Sequence, residues 1–251
     1  MGAGGRCGEQ LAGSVVTDRA VVGLLVALGL QFLTAGKLDA ADRVLHRAVE
    51  IIEAGGYASD RDIVTLHHRL AHLHHARRDH AAAEVHARCA LRMRSAVLGS
   101  DHVEVAGEGA ALGAVLTAAG RYAEAEPLLR TGLAAIAATF GRRSPEWAII
   151  AHDLATLLAA TDRTEEALDL LLDVANAKKV TLGPWHASTA ATLDEVAGIC
   201  RGARGDDVDT AFMRPFGIAA HNCDLKNGPT IAGCATCALV EREGCGPSGD
   251  R

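Results

Sequence analysis

Seven histidines fall between positions 67 and 86: His67, His68, His72, His74, His75, His80 and His86. Three of them, His68, His72 and His75, are spaced by four and then three residues, which sets them in one stripe along a helix. A stripe of imidazoles can share a metal ion through an i, i+4 pair, or it can present hydrogen-bonding rings to a ligand. No nearby motif supplies an acid, a base or a further ligand, so the expectation is a polar binding face with no metal and no cofactor. Protonation near pH ~6.5, the ordinary histidine value, would make such a face attract carboxylates.

The second chemical cluster lies near the C-terminus, where Cys234 and Cys237 form a C-x2-C pair flanked by His221, Cys223 and Cys245. Tetrahedral zinc needs four such ligands, so a metal-binding or redox-active protein using these cysteines is the alternative reading. The chain has seven cysteines, an odd number, and Cys89 and Cys200 sit in helical patterns, so no secreted disulfide framework is expected. No phosphate loop, nucleophile elbow, His-Glu-x-x-His or dinucleotide fingerprint occurs, and no enzymatic activity is expected.

The elements that position these residues follow from composition. Only 3% of the 251 residues are aromatic while 49% are hydrophobic, a supply dominated by helix formers and poor for a β-sandwich. The formal net charge of −6 argues against a nucleic-acid footprint. Ala20–Leu30 is apolar but shorter than the ~20 residues of a membrane span, so no membrane partner and a cytoplasmic location are expected.

Laid against itself at a spacing of about 42 residues, the chain shows four blocks. Gly36, Arg78, Gly120 and Asp162 open equivalent segments, and five residues later stand Ala41, Ala83, Ala125 and Ala167. Upstream, Leu28, Leu70, Leu112 and Leu154 are each followed by Gly or Ala, and Phe32, His74, Leu116 and Leu158 lie three beyond these. Leu98-Gly99, Phe140-Gly141 and Leu182-Gly183 recur between blocks. Large and small residues at helical spacing, broken at a turn residue, spell a helix–turn–helix unit whose open face is buried by the next copy. Asp60, Asp101 and Ser144 are the expected N-caps. A further first helix, Ser188–Arg201, has no recognisable partner and reads as a cap.

The run Leu25-x2-Leu28-Gly29-x2-Phe32 followed by Ala41-x3-Leu45 resembles the tetratricopeptide repeat. The long period, Gly-Arg-Tyr-Ala-Glu-Ala-Glu at 120–126 and Leu-Gly-Ser-Asp-His at 98–102 are similar to the kinesin-light-chain subtype. The resemblance implies an all-α, right-handed superhelical solenoid of antiparallel helix pairs, about four repeats and a C-terminal capping helix. It also implies a scaffold or adaptor that binds a peptide or helix of another protein in a groove lined by first helices. By that resemblance the groove residues are His68, His72, His75, Thr117, His152 and Thr156, while His74 packs inward. The Asn-Asn pair of kinesin light chains is replaced by His68-Arg69, Ala110-Ala111 and His152-Asp153, so no kinesin cargo is carried over. The expected organisation is a flexible N-terminal segment at 1–18, repeats at 19–202 and a mostly irregular tail at 203–251 with a short helix near Thr230–Arg242.

Overall fold

In a computed structural model, which describes residues 4–55 and 58–204, every regular element is a helix. The order is α1 Gly4–Thr34, α2 Leu38–Glu53, α3 Asp60–Ala76, α4 His80–Leu98, α5 Val103–Ala118, α6 Tyr122–Phe140, α7 Pro145–Ala160, α8 Thr164–Leu182 and α9 Ala187–Arg204. Each odd helix from α1 to α7 packs chiefly on the even helix that follows it, and each pair then meets the next. The described residues thus form an all-α helical repeat solenoid. The four pairs belong to a unit spanning Met1–Asp194; of the unit that begins at Glu195, the structure describes the C-terminal half of α9. Helix α1 already begins at Gly4, within the segment expected to be flexible. Cys223, Cys234, Cys237 and Cys245, with the helix expected near Thr230–Arg242, lie outside the described residues.

The anchors of the repeat are its turns. Gly36, Arg78, Gly120 and Asp162 all have left-handed backbones, with φ of 68, 62, 75 and 60°. A Cβ is strained in this region, so Arg78 and Asp162 hold it at a cost that glycine avoids. The turn repeats one hydrogen-bond pattern, in which the amide after each anchor donates five residues back: Lys37 to Phe32, Asp79 to His74, Arg121 to Leu116 and Arg163 to Leu158. Ala41, Ala83, Ala125 and Ala167 are all fully buried, as the small-residue register requires.

Two helix starts differ from the sequence expectation by one residue. Ser59, with extended backbone, caps α3 in a reciprocal capping box with Asp62, and the His102 ring accepts from Glu104 N–H at the start of α5. Asp60 and Asp101 therefore do not cap. Asp60 is already the first helical residue of α3, Asp101 precedes the His102 cap, and only Ser144 falls where expected.

Between α5 and α6 the backbones come very close. A Cβ built on Gly132 would sit 2.7 Å from Ala110 Cβ and 2.9 Å from the Ala106 carbonyl oxygen, so only glycine fits. On the outer surface, second helices are tied in sequence by arginines: Arg77 to Asp39 at 3.0 Å, Arg121 to Glu84 and Glu124, and Arg163 to Glu126 and Glu166.

Candidate functional site

The expected groove residues fall into two groups, one on α3 and one on α7, with Thr117 apart from both. His68 and His72 lie one turn apart with ring centroids 4.7 Å apart. His68 is not free to greet a ligand, because its Nδ1 lies 2.7 Å from Glu108 Oε2 on α5. Glu108 is buried, 6% exposed, and its other oxygen accepts from Arg94 Nη2 at 3.0 Å. Burial opposes its charge, yet the hydrogen bonds and charges of His68 and Arg94 outweigh that and hold its carboxyl below the usual range. Arg94 reaches on to Glu104 at 2.9 Å, so one charged chain links α3, α4 and α5.

Beside this chain two more imidazoles of α3, His72 and His75, are pushed toward the neutral form. His72 touches solvent, but protein crowds around it; desolvation first, then His68, Arg69 and His75, bring its pKa down to about 4 against the pull of Glu108. His75 is lowered by burial and by His80, whose ring lies 5.9 Å away. Arg69, half-buried beside them, is lowered by burial, with Glu108 opposing. His72 and His75 therefore resist charging near the ordinary histidine value that spacing alone would suggest.

Thr117 is buried and its hydroxyl donates to the Gly113 carbonyl at 2.9 Å within α5, so it offers a wall rather than a contact. On α7, exposed Thr156 likewise donates to the His152 carbonyl at 3.0 Å. His152 lines a cleft of about 370 Å³ together with Arg143, Ala148, Ile149, Asp153 and Lys178. Ile149 is 62% exposed there, and Lys178 donates to Thr192 Oγ1 at 2.8 Å. Burial pushes the Asp153 carboxyl up to about 6, with His152 opposing, so it accepts hydrogen bonds at neutral pH and gains a donor only on mild acidification.

Glu108 and Asp153 were the residues that motif reasoning missed. A signal existed for the first: the positions equivalent to Glu108 are Leu24, Leu66 and Ile150, so an acid interrupts an apolar column. Among the described residues, no group of three or more His, Cys, Asp or Glu side chains could hold a metal ion. No described helix is long and apolar enough to cross a membrane.

Stacked helix pairs with left-handed anchors every 42 residues and small residues at the pair contact define a helical-repeat protein. Residues 108–179 and 68–104 each match a family model of the tetratricopeptide repeat. A solved structure from Podosopora anserina, assigned to the kinesin light chains and described as nearly identical TPR-like repeats, is similar with a TM-score of 0.57 at 23% identity. The match covers 76% of this chain and 90% of that one. A substituted form of the same Podosopora anserina protein matches with a TM-score of 0.56 and 24% identity, over 72% of this chain and 86% of that chain. No curated protein matches the sequence significantly. Residues 68–104 and 108–179 are thus tetratricopeptide repeats, and the fold is similar to that of repeats from a kinesin light chain. Tetratricopeptide repeats generally bind other proteins, which supports an interaction scaffold.

Proposed function

We propose that this protein is a non-catalytic, cytoplasmic scaffold or adaptor whose repeats, assigned to residues 19–202, bind a peptide or helix of a partner protein along the first helices. The observation that carries this reading is the cleft beside His152. Its volume of about 370 Å³ suits one or two side chains of a partner rather than a large cofactor. Apolar Ala148 and Ile149 offer a seat for a hydrophobic anchor, while His152 and Asp153 add directional hydrogen bonds. His152 stands two repeats on from His68, at the same place in the unit, so one line of first-helix positions carries both groups. The α3 group, with His72 neutral and Glu108 already paired, contributes hydrogen-bonding rings rather than net charge.

The test is selection of binders from a displayed peptide library on the purified protein, followed by affinity measurement on wild type and Ile149→Glu. A charge in the apolar seat should weaken the selected peptides at least about tenfold. Peptides whose affinity is unchanged in Ile149→Glu, and also in a second variant carrying Thr156→Arg, would place binding elsewhere and end this reading.

A further inference from the structure

Helix pair two differs from its neighbours where its two helices meet. At the three positions where the other pairs carry Leu25, Gly109 and Ala151, then Phe32, Leu116 and Leu158, then Val44, Leu128 and Leu170, it carries His67, His74 and His86. The equivalence is geometric as well as numerical. In pair three a Cβ on Gly109 would lie 3.8 Å from Leu128, and in pair two the same two positions bring His67 Nδ1 within 3.0 Å of His86 Nδ1. The His74 ring stacks on that of His86 at 5.4 Å between centroids, tilted by 12°. An apolar seam has been replaced, in one repeat, by three imidazoles.

We propose that the α3–α4 pair is a pH-responsive element: acidification loads its histidine seam with like charge and opens the second repeat while the third and fourth stay closed. The hydrogen bond between His67 and His86 needs one Nδ1 to donate and the other to accept. One proton can be added to the donor ring without breaking it. A second proton puts two N–H groups face to face across 3.0 Å, and the rings must part.

The surrounding charges do not relieve this. On the inter-helix turn, Asp79 lies 3.7 Å from His74, and on α2 Asp42 lies 2.9 Å from His46, so carboxylates serve the outer rings. Arg77 draws on Asp42 as well, at 3.2 Å. Among the described residues no carboxylate pairs with His67 or His86, while Arg92 of α4 faces His67 and His46 of α2 faces His86. From α5, Glu104 and Glu108 are held by Arg94 and His68; from α1, Arg19 is 3.9 Å from Asp62 at the far end of α3. Burial foremost, then neighbouring positive charge, lowers both inner histidines, His86 to about 4. Their native proton affinity is therefore below the unfolded value of ~6.5, and the stability they allow is complete above that pH and is lost as pH falls toward 4.

Hydrogen exchange followed by mass spectrometry on the full chain tests this directly, with intrinsic rates corrected for pH. Between pH ~7.5 and ~5.0 the opening of α3 and α4 amides should rise at least about tenfold more than that of α5 and α6. The variant His67→Ala/His74→Leu/His86→Leu, which installs residues used by the other repeats, should remove more than half of that rise on a logarithmic scale. His86→Leu alone serves if the triple variant does not fold. The groove variant His68→Gln/His72→Gln/His75→Gln should remove the share that His72 and His75 contribute, since both are lowered as His86 is, and leave the share of the seam in place. Equal pH responses in pairs two and three, or a response that follows the groove variant instead of the seam variant, would overturn the proposal. Because exchange is read without any ligand, this outcome is separate from that of the peptide selection.

Discussion

Pairs two and three share one frame and fill it differently. Ala83 and Ala125 occupy the same buried place in α4 and α6, and Arg78 and Gly120 make the same left-handed turn. In pair three, α5 and α6 close until Gly132 leaves no room for a methyl group, and the contact is built from glycine, alanine and leucine. In pair two, fully buried Ala90 stands at the position of Gly132 and imidazoles occupy the seam. A helical repeat fixes where its helices cross through a few small residues. The rest of the contact is then free to be apolar and permanent, or polar and conditional.

The most severe way to break pair three is to fill its closest approach. Gly132→Leu should cost about 3 kcal/mol, at the upper end for overpacking, because the obstruction includes backbone at Ala106. A denaturant midpoint equal to that of wild type would mean that α5 and α6 do not approach as described. Sharpening the contrast, His86→Leu in pair two should stabilise the protein by about 1 kcal/mol at pH ~5 and much less at pH ~7.5. That figure already discounts the lowered pKa for solvent screening of a half-buried ring. Thermal melts at both pH values read the difference, and a gain equal at both would point to packing alone. At the turns, Arg78→Gly should raise stability by up to about 1 kcal/mol by relieving a left-handed arginine, whereas Gly120→Arg should lower it by a similar amount. Smallest of all, Arg163→Gln should lower Tm slightly at low salt, with the shift fading toward ~1 M NaCl, since its bridges to Glu126 and Glu166 lie at the surface.

The period was legible because its markers are backbone requirements. Gly36 and Gly120 announce a left-handed turn, and once the spacing is known Arg78 and Asp162 can be placed there despite having side chains. The buried alanines were legible for the same reason, as a small residue recurring at one place in every unit. The histidine arrangement was less so. Spacing along α3 groups His68, His72 and His75, but a ring-to-ring hydrogen bond joins His67 to His86 across two helices, which no single-helix stripe reveals. Thr117 was read as a groove contact from its place in the unit, whereas the crowding of α5 against its neighbours leaves it buried. Glu108 escaped because its partners His68 and Arg94 are distant in sequence, and Asp153 because its shift comes from burial, which no local motif announces.

The joints between pairs have a further consequence. Gly99, Gly141 and Gly183 end α4, α6 and α8 with nearly the same backbone, φ of 83, 84 and 96° and ψ of 155, 161 and 158°. Each donates its amide four residues back, to Ser95, Ala137 and Lys179. Joints of one conformation make each helix pair an interchangeable module of the chain. In-frame recombination between neighbouring joints would remove or add one whole helix pair and leave the backbone at the joint unchanged. The array can thus change its number of units in a single genetic event without a new loop having to be invented.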